Sequence, residues 1–214
     1  MTIVLAAGLF PKTERALALL RSADFIACCD GAANSCVQAG FVPDVIVGDG
    51  DSVNAEVRHR YADRIVRIAE QETNDLTKTV KHCLALGRRD ITILGATGLR
   101  EDHSVANIAL LMDYADLLPV TQGEAPAIRM VSDYGTFYPC RDQLRLEIEI
   151  GREISIFNFG ASYFSATGLQ YPLYDFTRLW QGTLNVATRR EVQIDARGKF
   201  LVYVAEPDRQ CDKP

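Results

Sequence analysis

Four aspartates in the first third of the chain stand just behind short apolar runs: Asp30 after Phe25–Cys29, Asp49 and Asp51 after Val45–Val47, and Asp75 after Ile65–Ile68. Short apolar runs bounded by turn residues read as buried parallel strands, and open α/β sheets bind ligands beyond the carboxyl ends of such strands. The carboxylates then converge on one edge. Mg²⁺ is a hard cation, commonly held by one or two carboxylates together with substrate phosphates. Metal-assisted handling of a phosphorylated ligand is the chemistry this rim suits.

The surrounding motifs add detail. In Pro43–Ser52 a strand ends at Gly48, and in an extended segment Asp49 and Asp51 point the same way, while Ser52 is placed to cap the next helix. An EF-hand is excluded, since Val53, Asn54 and Arg60 fall where that loop needs its later ligands and its glycine. Asp-Gly is also an ordinary turn pair. Asp30-Gly31-Ala32-Ala33-Asn34 is a second strand-to-helix turn, with small residues that let an anion approach free N–H groups. No G-x-G-x-x-G dinucleotide fingerprint follows any of these strands. Gln71 to Lys78 opens a helix with Asp75 in its first turn, where the helix dipole favours an acid whatever its function, and Lys78 one turn later. Gly95 to His103 again links strand to helix; two glycines, Arg100 and a helix N-terminus suit a polyphosphate clamp.

The elements that must position these residues alternate. Candidate strands at 2–7, 25–29, 45–47, 65–68 and 91–94 are separated by helical stretches, the signature of βαβ units and a parallel sheet. Asn74–Leu86 sets Leu76, Val80, Cys83 and Leu84 on one face, with Gly87 as a stop, and Ser104–Leu118 repeats the pattern with Val105, Ile108, Ala109 and Met112. Pro119–Pro126 has linker composition. From Arg129 the pattern turns strand-like, as where Leu144, Leu146, Ile148 and Ile150 alternate with charged residues, and Ile154–Phe159 and Lys199–Val204 follow suit. The expected fold is α/β plus all-β: an α/β domain with a mainly parallel sheet over 1–122, then an antiparallel β-sandwich over 127–214.

Composition bounds the function. A chain of 214 residues buries a real core, and a net charge of −5 argues against a phosphate-tracking nucleic-acid binder. Nothing reaches the length of a membrane span, and Ile3–Ala7 reads as a first strand rather than a secretory leader. The six cysteines, at 28, 29, 36, 83, 140 and 211, show no zinc spacing and read as buried free thiols in a reducing cytoplasm.

Taken in order, D-G-x-A-N, P-D-x-x-x-G-D-x-D-S, a (T/N)-D-x-T-K helix start and G-x-x-G-x-R-x-D-H resemble the thiamine pyrophosphokinase family, and Thr167-Gly168-Leu169-Gln170-Tyr171 resembles its T-G-L-x-(W/Y) segment. The resemblance implies a homodimer in which the α/β domain binds ATP and Mg²⁺ and the partner's sandwich helps hold thiamine. It implies transfer of the pyrophosphoryl group of ATP to the hydroxyethyl oxygen of thiamine, giving thiamine diphosphate and AMP. By matching positions, Asp49, Asp51 and Asp75 hold the metal, Asp30 sits near the metal or the hydroxyl, and Arg100 braces phosphate oxygens. Asn34, Gln71, Thr77, Lys78, Gly98, Asp102 and His103 are the expected neighbours of ATP; Tyr171 and Asn185 those of thiamine. Tyr171 stands where the family often has tryptophan, and tyrosine still offers a π-face to a cationic thiazolium. The chain departs from the pattern at Gly50, Glu72, Asn74 and Leu184, the last in place of a serine. Two other readings are a pyrophosphokinase for another small alcohol such as a hydroxymethylpterin, and a non-catalytic nucleotide- or vitamin-binding module.

Overall fold

The computed structural model describes residues 1–118 and 126–207, so the greater part of the linker-like segment at 119–126, and Cys211, lie outside the described residues. The chain divides into two compact units: Met1–Tyr114 with Ala127–Asp133, and Tyr134 onward with the segment beginning at Ala115.

The first unit alternates strand and helix: β1 (Thr2–Leu5), α1 (Glu14–Arg21), β2 (Phe25–Cys29), α2 (Ala32–Gln38), β3 (Val45–Gly48), α3 (Ala55–Arg60), β4 (Ile65–Arg67), α4 (Asp75–Ala85), β5 (Ile91–Leu94), α5 (Glu101–Ala115) and β6 (Ile128–Ser132). The strands are all parallel, in the order β6-β5-β1-β2-β3-β4. Strands buried on both faces read as near-continuous apolar runs, and β1, β3 and β5 are buried at every residue, with Thr2 and Thr92 their polar members. One face carries Ile3, Leu5, Cys28 and Ile46 against Ala16 and Leu20 of α1, Cys36 of α2 and Val57 of α3. Fully burying each large aliphatic side chain contributes about 1.5–3 kcal/mol.

The expected strands at 25–29 and 91–94 form as read, and α4 is capped by Asn74, whose side chain accepts from the Thr77 N–H, with Leu86 as C-cap. Other details differ, beginning with β1, expected over 2–7, which stops at Leu5. The strand over Ile128–Ser132 pairs parallel with β5 rather than joining an antiparallel set, because a short apolar run carries no record of its partner's direction. Helix α5 starts three residues early and buries Leu111, Met112 and Tyr114, leaving Val105 69% exposed. Helix α3 is capped by Asn54, not Ser52.

The second unit is antiparallel. Its strands are β7 (Gly135–Glu147), β8 (Glu153–Asn158), β9 (Ser162–Thr167), β10 (Gly182–Val186) and β11 (Glu191–Ala205). Strand β11 pairs with β7 along most of its length; its other edge pairs first with β9 and then, beyond an irregularity near Arg197, with β8, which pairs onward with β10. That change of partner wraps the strands round a core of Leu144, Ile154, Ile156, Phe164, Phe200 and neighbours. Ile150, expected to continue the alternation of β7, lies beyond its end and is exposed.

Candidate active site

Strand β1 is followed in space by β2, β3 and β4 on one side, whereas the crossover through α4 brings β5 to its other side. Where the strand order reverses, the loops beyond the carboxyl ends part and leave a crevice. A cleft of about 370 Å³ opens there, walled by Ala6–Gly8 after β1, Asp30 and Gly31 after β2, and Ala96 and Thr97 after β5. Gly8 donates its N–H to the Gly95 carbonyl at 2.6 Å, and a Cβ at Gly8 would lie 2.5 Å from that oxygen, so only glycine fits. Asn74, Asp75, Arg100 and His103 complete much of the lining.

Asp30 is 4% exposed and has a backbone φ of 37°, a left-handed conformation that aspartate tolerates better than most residues. Its Oδ2 accepts the Ser52 N–H at 2.9 Å, while Oδ1 is buried without any hydrogen-bond partner. Gly48 makes this possible, since a Cβ there would lie 2.7 Å from that of Asp30. An unpaired buried acceptor is costly unless a ligand completes it. The Asp49–Asp51 segment is not extended as expected: Gly50 turns it at φ 84°, and Asp49 Oδ1 accepts the Asp51 N–H at 3.1 Å. That conformation is one glycine adopts without strain. Asp51 is exposed on this turn, beside the cleft wall formed by Ser52.

Asp75 opens α4 and is 36% exposed; its Oδ1 accepts from Lys78 Nζ at 3.2 Å, and Lys78 is 4% exposed. Asn34 spends its side chain on the loop after β3, donating Nδ2 to the Ser52 carbonyl and accepting the Asn54 N–H. Thr77 is buried, its hydroxyl 2.7 Å from that of Tyr114. Gln71 is exposed before α4, and neither it, Asn34, Thr77, Lys78, Gly98 nor Asp102 lines the cleft. Lining residues that sequence reasoning missed are Gly8, Ser52, Ser104 and Asn107, whose Nδ2 holds the Ala96 carbonyl at 2.8 Å. The signal that could have found Ala6–Gly8 is the rule that ligands gather at strand ends, applied to the first strand as it was to the others.

Arg100 grips Asp102 with two bonds, Nε to Oδ1 at 3.1 Å and Nη2 to Oδ2 at 2.6 Å. That guanidinium, with the His103 N–H, holds the Asp102 carboxyl down to about 2. Since the folded value lies below the ordinary one, the pairing is intact above about pH 4 and is lost as the pH falls through the folded value. We expect Asp102 to titrate near the acid end by NMR in the parent and close to the ordinary carboxylate value in Arg100→Gln; an unchanged midpoint would dissolve the pair. Cys29 also lines the cleft, but burial pushes its thiol up to about 12, so it is no nucleophile.

Among the described residues no three His, Cys, Asp or Glu side chains stand close enough to hold a metal ion by themselves. The donors nevertheless suit Mg²⁺, which takes oxygen ligands and draws part of its shell from substrate phosphates: Asp30 has an unpaired oxygen, Asp49 and Asp75 each use one oxygen, and both acids at 30 and 75 face the cleft.

In the second unit Asn185 is 5% exposed and fixes Tyr171 by both ends, Oδ1 accepting the Tyr171 N–H at 3.0 Å and Nδ2 donating to its carbonyl at 2.9 Å. The Tyr171 ring stays 55% exposed. Leu184 has φ 61° at the irregularity in β10 and points outward, 68% exposed. Tyr174 and Trp180, exposed aromatics of the same stretch, were not singled out from sequence.

Comparison with known proteins agrees in both parts of the chain. Residues 16–120 match the family description "Thiamin pyrophosphokinase, catalytic domain" and residues 135–203 "Thiamin pyrophosphokinase, substrate-binding domain". Thiamine pyrophosphokinase 2 of Oryza sativa subsp. japonica is 28% identical over 101 residues, which are 42% of this chain and 38% of that protein. Thiamine pyrophosphokinase 1 of the same plant is 30% identical over 91 residues, 38% of this chain and 34% of its own length. The matched stretch thus spans little more than a third of either relative. Among solved structures, thiamine pyrophosphokinase from Bacillus subtilis superimposes with a TM-score of 0.77 at 23% identity, covering 97% of this chain and 100% of its own. The Candida albicans thiamin pyrophosphokinase gives 0.76 at 18%, covering 95% and 89%. Those identities speak to the fold, and the two domain matches, consecutive along the sequence, speak to descent: the chain belongs to the thiamin pyrophosphokinase family.

Proposed function

We propose that the protein transfers the pyrophosphoryl group of ATP to thiamine, giving thiamine diphosphate and AMP. The thiamine hydroxyl oxygen forms a bond to the β-phosphorus, the bond from that phosphorus to the oxygen bridging to the α-phosphate breaks, and AMP departs with the electron pair. The observation that carries the reading is the cleft at the strand-order reversal, faced by Asp30, Asp75, Arg100 and His103. What supports thiamine as the acceptor is family membership.

Asp75 at the cleft, with Asp49 and Asp51 on the turn beside it, would hold Mg²⁺ only together with the substrate's phosphate oxygens, since the three do not gather into a site by themselves; the ion when bound would neutralise polyphosphate charge. Asp30 stands at the ion or at the attacking hydroxyl, where an unpaired oxygen suits a proton acceptor. Phosphoryl transfer depends mostly on positioning and on charge neutralisation. Arg100 serves both by releasing Asp102 and turning its fork to phosphate oxygens. Asn34 and Thr77 act at one remove, the first by fastening the loop after β3 and the second by anchoring the first turn of α4. Lys78 keeps Asp75 in place, and His103, at the cleft wall, borders the nucleotide, whereas Gln71 and Gly98 stand outside the cleft lining. Thiamine stacks on Tyr171, whose backbone Asn185 immobilises, in a homodimer where one protomer's α/β unit works with its partner's β unit. Buried free thiols at positions 28, 29, 36, 83 and 140 fit a cytoplasmic setting. No helix among the described residues is long and apolar enough to cross a membrane.

Loss of the stacking ring should separate the substrates: Tyr171→Ala is expected to raise the thiamine KM about tenfold, the value of one good aromatic contact, with the ATP KM nearly unchanged. Equal rises in both would remove Tyr171 from the thiamine site. Offering a hydroxymethylpterin in place of thiamine tests the acceptor, and AMP formed faster with the pterin would overturn it.

A further inference from the structure

We infer that Arg58 is a positioning residue that holds the Asp49–Gly50–Asp51 turn in the shape its carboxylates need. The inference rests on reading that turn as part of the Mg²⁺·ATP site. Helix α3 is set by its Asn54 cap, whose side chain accepts the Val57 N–H at 2.8 Å, and it directs Arg58 back over the turn that precedes it. There Arg58 Nη2 donates to the carbonyl of Gly50 and, at 3.1 Å, to that of Val53.

Three side chains fasten this loop, and they divide the work. Asp30 and Asn34 take the Ser52 N–H, the Ser52 carbonyl and the Asn54 N–H, all on the far side of the acidic pair. Among the described residues only Arg58 bonds the Gly50 carbonyl, while the N–H of the same peptide, that of Asp51, goes to Asp49 Oδ1 within the turn itself. Gly50, at φ 84°, has no side chain to pack and the widest conformational freedom of any residue. A glycine at the apex of a metal turn therefore leaves its shape to whatever holds the carbonyl. Arg58 does so through one nitrogen, Nη2, which also reaches the Val53 carbonyl, at the end of a side chain longer and more rigid at its tip than that of lysine.

The test compares Arg58→Met and Arg58→Lys with the parent in the full chain. Hydrogen exchange of residues 49–53, measured without nucleotide or metal, reads the turn directly. The Mg²⁺ concentration for half-maximal AMP formation reads its consequence, beside the thiamine KM and the melting temperature. In Arg58→Met we expect faster exchange confined to 49–53 and a half-activating Mg²⁺ concentration raised about tenfold, as when partners behind metal ligands are lost. The thiamine KM and melting temperature should match the parent, with Arg58→Lys intermediate. Parental exchange at 49–53, or equal shifts in the Mg²⁺ requirement and the thiamine KM, would overturn the assignment. If the parent makes no AMP with thiamine, the exchange data still decide the role of Arg58, so failure of the proposed function is told apart from failure of this inference.

Discussion

Asp75→Asn should lower kcat by about 10²–10³ or more, the scale of removing one preorganised charge from a transition-state site. Asp75 combines three properties that no other acid among the described residues shares. The Asn74 cap fixes it as the first residue of α4, it faces the cleft, and it is the ionic partner of a lysine with only 4% of its side chain exposed. Asparagine preserves shape and loses the charge. The buried lysine is then left without its counter-charge, so a loss of stability accompanies the loss of activity. Breaking a fully buried pair costs about 3–5 kcal/mol. Because Asp75 is 36% exposed, water screens part of that, and about 1–2 kcal/mol is the expected penalty. A urea melt beside steady-state kinetics separates the two effects. Turnover within a few-fold of the parent in a folded Asp75→Asn protein would remove Asp75 from the chemistry.

Asp30→Asn should lose activity without losing stability. The Asp30 carboxylate is 4% exposed, and one of its oxygens has no hydrogen-bond partner. Burying an unpaired charged acceptor is unfavourable in the free protein, and a neutral amide keeps the bond to the Ser52 N–H through its own oxygen. The variant is therefore expected to be as stable as the parent, or more so by up to about 1 kcal/mol, while kcat falls by about 10² or more. Such a trade of stability for activity is what a strained, ligand-completed residue implies. A variant that is both less stable and fully active would mean that the carboxylate serves the fold alone.

The sequence carried the ends of β2 and β5 well because strands buried on both faces are near-continuous apolar runs and polar turn residues follow where the pattern breaks, whereas β1, read as far as residue 7, stops at Leu5 because Ala6 and Ala7 prolong the apolar run beyond the strand's end. Asp30 after β2 and Gly95 after β5 were legible for that reason. The ends of α4 were legible because Asn74 and Leu86 act through bonds to residues three or four positions away. Partnerships between distant residues were not. Asn34 was read as a nucleotide neighbour, yet its amide bonds loop atoms 18 and 20 residues on, and the Thr77 hydroxyl meets Tyr114, 37 residues away. The exposure of Val105 was equally hidden, since helical periodicity groups residues on a face without saying which face packs. Strand β6 shows the same limit in the sheet, where direction depends on a neighbour chosen by the chain's path.

The most direct measurement is the product ratio. Protein, ATP and Mg²⁺ are incubated with and without thiamine, and AMP, ADP and thiamine diphosphate are resolved by chromatography. The account predicts AMP and thiamine diphosphate in equal amounts, dependent on thiamine and without ADP. ADP with thiamine monophosphate, or AMP released at the same rate when thiamine is withheld, would contradict it.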